Sequence, residues 1–350
     1  MKTKNIFIYA AVLAVLLALI YLQFRSWRNF DWDTFWSQTG QVNKVEVAAG
    51  LILIYLAYGL RALRWKIFLR PVRHTTTVEL MNPTIIGFAG LALLGRAGEM
   101  IRPYLIARKV GLPFSSQIAV WAVERIFDVG AFAILLISAI FFADAPRHLS
   151  YYERFREGGL FIIVVVAGLI CGVFLVALKG EAVADWVERR FSHLASNLGH
   201  HIALRIREFR SGLNTIHDFA ALIQLIAVSL AMWSMIALAY WEVMQSYGTE
   251  SLSRPLADVP LLMASSMVGS MIQLPGVGGV SQLATIGTLQ YVFRASHELA
   301  ASCGILLWLV TFVSIVPLGL ALAHRERLSL RRLSDESHLN EESEIARSPS

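Results

Sequence analysis

Apolar residues in this sequence come in blocks the length of a bilayer crossing, and that feature excludes most folds. A helix rising about 1.5 Å per residue needs roughly twenty apolar residues to span a hydrocarbon core of about 30 Å. Such blocks cover Ile6–Phe24, Val45–Trp65, Gln117–Phe142, Leu160–Leu178, Phe219–Val243 and Leu299–Ala323. None shows the polar/apolar alternation of a transmembrane strand, so helices must satisfy the backbone in lipid. Composition agrees: 16% of residues are charged, where a soluble domain carries about 25%. The expected fold class is an all-α polytopic membrane protein.

Two further apolar stretches, Leu80–Leu94 and Leu256–Leu274, are shorter, and each ends in a glycine-rich turn before a second short apolar piece. Interrupted segments of this kind suit re-entrant helical hairpins, whose irregular backbone is buried in protein or faces a water-filled cavity. Loop charges orient the chain. Lys2 and Lys4, the run Arg61 to Arg73, Arg108 with Lys109, Lys179 to Arg210, and Arg325 to Arg332 are all basic. By the positive-inside rule these segments are cytoplasmic. The loops around Asp144–Gly158 and Glu250–Asp258 are nearly balanced and fall outside. About six full spans with both termini cytoplasmic satisfy every loop, in a cell inner membrane. The formal net charge of +6 reads as this asymmetry rather than as nucleic-acid binding. Tyr21, Leu22 and Phe24 offer no small-residue cleavage site, so the first block reads as a retained signal-anchor.

An internal repeat follows from the glycine turns. Leu93-Leu94-Gly95-Arg96-Ala97-Gly98 aligns without gaps on Leu274-Pro275-Gly276-Val277-Gly278-Gly279, Gly95 falling on Gly276 at an offset of 181. The same offset carries the second span onto the fifth and the third onto the last. With the hairpins entering from opposite sides, the expected arrangement is a faint inverted repeat, about 45–142 and about 219–323, within one membrane domain over 1–325. Between the halves, 182–216 has apolar residues spaced by threes and fours with arginines among them. It reads as an amphipathic helix, either on anionic lipid or packed on the protein's own cytoplasmic face. The polar tail 326–350 is expected to be disordered.

Ionisable groups are costly in lipid, so they pair with one another or line an internal cavity. Arg96, Glu99 and Arg102 surround the Gly95–Gly98 turn. If a helix starts near Ala97, its free N–H groups and positive dipole end suit a phosphate or carboxylate beside Arg96. Glu99 can pair with Arg102 at helical i, i+3 spacing, or with an arginine elsewhere. Glu124 and Asp128 share a face of the third span, with Arg125 about a hundred degrees round. Two carboxylates on one face need a cation or a proton between them, which Arg96, Arg102 or protonation supplies. The cluster reads as a substrate site or as an ion-pair lock joining hairpin to span. Arg61 and Arg64, with Trp65, read as snorkelling interfacial anchors or as headgroup contacts. Pro275, Gly276, Gly278 and Gly279, like Gly95, serve tight turning and close helix approach. Cys171 and Cys303 lie in apolar blocks, and His200–His201 match no ligand pattern, so no metal is assigned. No nucleophile, nucleotide motif or P-loop accompanies the acids. Neither an enzyme nor a cofactor is expected, and ATP is not the expected energy source.

These residues carry a family resemblance. Arg61-Ala-Leu-Arg64-Trp65, Gly87-Phe88, Gly95-Arg96-Ala97-Gly98-Glu99 with Arg102, Glu124-Arg125 with Asp128, and Pro275-Gly276 with Gly279 occur in order. Over roughly 5 to 325 the chain resembles the lysylphosphatidylglycerol synthase transmembrane-region family, a flippase-like membrane domain family. The resemblance implies a polytopic domain with re-entrant helices, associated with moving lipids between leaflets, and it leaves the lipid open. Leu94 stands where that family often has proline, and Gln282 where a glutamate often follows the second glycine motif. The latter counts against a mechanism needing a carboxylate in both hairpins. With no aminoacyl-transfer domain in sight, a complete synthase is not expected. The function expected is a lipid transporter moving an anionic or lipid-linked headgroup between leaflets. Its partners are membrane phospholipid or a lipid-linked substrate. The alternatives are an accessory subunit serving biosynthetic partner proteins, or a membrane-embedded transferase.

Overall fold

A computed structural model describes residues 30–142, 219–270 and 279–326, with single residues at 164, 168 and 185. The first and fourth apolar blocks, the amphipathic segment 182–216, the turn residues Pro275, Gly276 and Gly278, and the polar tail beyond 326 lie outside the described residues.

Among the described residues all regular structure is helical. A short helix α1 (Trp32–Gly40) precedes α2 (Lys44–Leu69), and α3 (Thr77–Leu94) leads through a tight 3-10 turn at Gly95–Gly98 into α4 (Ile101–Val110). Then come α5 (Phe114–Phe142), α6 (Phe219–Gln245), α7 (Val259–Ser270), α8 (Gly279–Tyr291), α9 (His297–Trp308) and α10 (Ile315–Arg325). Among the described residues, five stretches are long and apolar enough to cross a membrane: α2, α3, α5, α6, and α9 continued through α10. This is a multi-pass membrane protein. Apolar side chains such as Ile52, Leu56, Val129 and Ile134 are exposed on these helices, as lipid-facing residues are.

Helix ends follow local chemistry. Asp31 and Asn43 accept backbone N–H bonds at the starts of α1 and α2. Thr76 and Glu79 form a reciprocal capping box on α3, so two otherwise orphaned donors are satisfied. Gly95 ends α3 with φ 63°, a backbone conformation that a side chain disfavours. The chain then reverses within four residues. At Gly98 a Cβ would lie 2.3 Å from the Gly90 carbonyl oxygen, and at Gly87 one would lie 2.4 Å from Cβ of Arg102. Small residues thus let α4 lie directly against α3, as membrane helices require. In the second half, Gly269 of α7 meets the Ser281 backbone of α8 in the same way.

Hydrogen bonds between loops fix which ends lie together. Arg73, just after α2, donates to the Val110 carbonyl at the end of α4 (2.5 Å). Asn82 near the start of α3 meets Glu326 after α10 (2.9 Å). At the other end of the molecule, the Asn43 N–H donates to the Ser246 carbonyl (2.8 Å), and Arg254 donates to the Phe293 carbonyl after α8 (3.1 Å). A hydroxyl chain of Thr39, Ser302 and Tyr247, each step 2.7 Å, ties α1 to α9 and the end of α6. The main core fills the space between α2, α6, α7 and α9, with Met232, Val243, Leu262 and Cys303 fully buried. A five-residue π-helical stretch, Leu309–Val313, joins α9 to α10. The Tyr55 hydroxyl donates to the Ser314 carbonyl beside it (2.9 Å).

Candidate functional site

The charged residues of α2, α4 and α5 converge on one buried network. Arg64 of α2, fully buried, donates to Asp128 (2.7 Å) and Glu124 (2.5 Å) of α5, and to the Ser229 hydroxyl of α6 (3.1 Å). Arg102 of α4 donates two bonds to Glu124, one at 3.0 Å and one shorter. Arg125 lies 2.9 Å from Asp128 and 3.4 Å from Glu124. The Trp233 indole N–H completes Asp128 from α6 (3.2 Å). Aromatic faces shelter the cations: Arg102 sits 4.5 Å over Trp65 and 5.0 Å over Phe88, and Trp65 itself donates to Gln117 (3.0 Å). Two carboxylates held by three guanidiniums need no shared proton.

This geometry revises three expectations. Arg64 and Trp65 are not snorkelling at an interface, because α2 continues to Leu69 and carries both into the core. Arg102 pairs across to Glu124 rather than with Glu99, and its buried fork leaves no donor facing open space. No helix starts at Ala97. The Gly95–Gly98 turn is 3-10, its end closed by the Glu99 N–H donating to the Arg96 carbonyl (3.1 Å), and α4 begins at Ile101. The tight turn consumes N–H groups that an α-helical start would leave free. Gly98, packed against Gly90, has no room for a ligand.

Beside the network lies a cavity of about 620 Å³ between the two halves of the molecule. Arg61, Arg96, Glu99 and the half-exposed Arg125 line it from the first half. Ser266, Ser281, Gln282 and Thr285 line it from α7 and α8, and Trp308 and Thr311 from α9 and the π-helical stretch. The sequence-derived residues therefore divide: Arg64, Arg102, Glu124 and Asp128 form the lock, and Arg61, Arg96, Glu99 and Arg125 face the cavity. Gly279 opens α8 with φ 52°. Sequence reasoning missed Ser229, Trp233 and Trp308. Ser229 and Trp233 carried a readable signal, being polar groups one helical turn apart in an otherwise apolar span.

Residues 7–323 match the family described as lysylphosphatidylglycerol synthase TM region. The chain belongs to that family. Among members and relatives of the lysylphosphatidylglycerol synthase TM region, a UPF0104 membrane protein from Methanothermobacter thermautotrophicus is 24% identical over 281 residues. That match covers 78% of this chain and 81% of that protein. The glycosyltransferase AglD from Haloferax volcanii is 28% identical over 129 residues, covering 36% of this chain but 20% of that larger protein.

Proposed function

We propose that this chain is a membrane lipid transporter of flippase type, which captures an anionic or lipid-linked headgroup in the central cavity and passes it between leaflets. The observation that carries the reading is the cavity itself, lined by Arg61, Arg96, Glu99 and the half-exposed Arg125, the last also paired with Asp128. Cations facing an internal space within the bilayer mark a pathway for an anionic group. The locked network behind them provides a fixed wall, so headgroup capture belongs to Arg61, Arg96 and Arg125, and Glu99 tunes their charge.

The architecture is an inverted repeat of two opposed re-entrant hairpins, α3–α4 and α7–α8, with the basic side cytoplasmic and the protein in the inner membrane. Element ends support the repeat. At the offset of 181, the start of α3 at Thr77 falls one residue before α7, and the end of α4 at Val110 falls on Tyr291, the end of α8. Alternating access in such folds is a movement of one repeat against the other around a fixed site.

Reconstitution tests the proposal. Liposomes carry a headgroup-labelled anionic lipid, and the label open to an impermeant quencher is measured. Inner-leaflet label becomes accessible with the native protein, and Glu99→Gln and Arg96→Ala lower that rate while leaving protein yield unchanged. Equal loss of yield and transport would sink the assignment of these residues. The stretch shared with a glycosyltransferase favours a second reading, a role within synthesis of lipid-linked glycans, as accessory subunit or transferase. A lipid product of changed mass in a purified reaction would establish the transferase form.

A further inference from the structure

The charges around the cavity do not balance, and the surplus faces the open space. In the locked network three guanidiniums, Arg64, Arg102 and Arg125, meet two carboxylates, Glu124 and Asp128. Arg61 adds a further cation, 4.7 Å over the Phe88 ring, and forms no ion pair or hydrogen bond among the described residues. Arg96 and Glu99 on the lining offset each other in charge, and every lining residue from α6 to the π-helical stretch is uncharged. Two positive charges are therefore left over. Charge held within a bilayer draws a counterion strongly, because little solvent screens it.

Donors free to meet that counterion lie on two of the lining arginines. The whole Arg61 fork is uncommitted. Both ionic contacts of Arg125 run through Nη2, to Asp128 at 2.9 Å and Glu124 at 3.4 Å, which leaves Nε and Nη1 without an acceptor among the described residues and 44% of the side chain exposed. Resting on the lipid-transport reading, we infer that the cavity takes a lipid ending in a phosphate monoester, with two negative charges, in preference to a singly charged phosphodiester. A terminal phosphate offers three acceptor oxygens, enough for two guanidinium edges, and its charge matches the surplus. A diester has one oxygen and one charge fewer. Apolar Ile54, Ile236, Met263 and Leu307 line the rest of the same space, which suits the chain that carries the phosphate.

The full-length protein in phosphatidylcholine nanodiscs, doped with phosphatidic acid or phosphatidylglycerol of matched acyl chains, reads this out by lipid retention in native mass spectrometry. At about pH 8, phosphatidic acid should be retained at least about tenfold over phosphatidylglycerol. At about pH 5.5 most of that advantage should vanish, because a phosphate monoester takes up its second proton near pH ~6. Among the described residues no histidine lines the cavity; its ionisable lining is Arg61, Arg96, Glu99, Arg125, Tyr58 and Tyr240. Phosphatidylglycerol, whose charge is constant over this range, controls for titration of the protein and should bind equally at both. Gln282→Glu, nearly isosteric, adds a carboxylate to the lining and should cut phosphatidic acid retention roughly tenfold, and phosphatidylglycerol by less. Arg61→Gln should cut phosphatidic acid by a similar factor, and Arg61→Lys should restore most of it. Thermal unfolding of each variant separates lost binding from lost fold. Equal retention of the two lipids at the higher pH, an advantage unchanged at the lower one, or a folded Gln282→Glu protein that binds as before overturns the inference and leaves transport standing. Inorganic phosphate bound in undoped nanodiscs, with neither lipid retained, marks a free-anion site and overturns the lipid reading itself.

Discussion

Arg61 and Arg64 sit one helical turn apart on α2, yet their surroundings assign them opposite work. Arg64 bridges Glu124 and Asp128 with full burial, whereas Arg61 lies over the Phe88 face and feels Asp128 and Glu124 only beyond ion-pair distance. Removing one partner from a buried ion network leaves the others uncompensated, at about 3–5 kcal/mol. Glu124→Gln should therefore lower the unfolding midpoint in detergent sharply, since Arg102 loses its anion and Arg64 keeps only Asp128. Arg64→Lys should do nearly as much, because an ammonium cannot fork between two carboxylates. Arg61→Gln removes no ion pair and should shift stability by less than about 1 kcal/mol while abolishing most headgroup binding. If Arg61→Gln unfolds the protein as Glu124→Gln does, Arg61 belongs to the lock and the capture role fails.

At the scale of elements, the hairpin α3–α4 depends on how closely its arms approach. Gly98→Ala would press a Cβ into the Gly90 backbone, where no flexible side chain can yield, and overpacking of this kind costs about 1–3 kcal/mol. Gly287 on α8 has nothing within 4 Å of the corresponding position. Gly287→Ala should leave the unfolding midpoint unchanged or raised, so the pair of variants distinguishes close packing from a general need for glycine. Much of this was legible in the sequence, because a bilayer enforces block length and glycine marks reversals. The spans α2, α5, α6 and α9–α10 fall where the apolar blocks placed them, and α3 ends at Gly95 as its glycine turn implied. Less legible were features set by three-dimensional neighbours. The burial of Arg64 depends on α2 running on to Leu69, and nothing in the local pattern of Arg61-Ala-Leu-Arg64-Trp65 separates a core arginine from a snorkelling one. The choice of Arg102 rather than Arg96 as partner for Glu124 depends on the 3-10 geometry of four residues. The cavity is assembled from both halves, so no single motif announces it.

For the molecule as a whole, the decisive property is sidedness. The bond from Arg73 to Val110 brings the two ends of the α3–α4 hairpin together, and that from Arg254 to Phe293 does the same for α7–α8 at the opposite end. A cysteine replacing exposed Arg70 or Arg108 should therefore share one side of the membrane, and one replacing exposed Glu250 or Arg294 the other. With Cys171 and Cys303 replaced by serine, an impermeant maleimide added to intact cells stripped of outer wall should label Glu250→Cys and Arg294→Cys. It should leave Arg70→Cys and Arg108→Cys unlabelled until the membrane is opened. Labelling of Arg70→Cys and Arg108→Cys on different sides would mean that α3–α4 crosses once, which removes the opposed hairpins and with them the repeat. Reversal of both pairs together would keep the hairpins and invert the protein, placing the arginine-rich ends outside against the charge rule. α3 has 18 residues, about 27 Å at the helical rise, against a core of about 30 Å. Matched labelling of its two ends would put the hairpin tip within the bilayer and the Arg96–Glu99 rim of the cavity where a headgroup entering from one leaflet can be met by the other half of the protein.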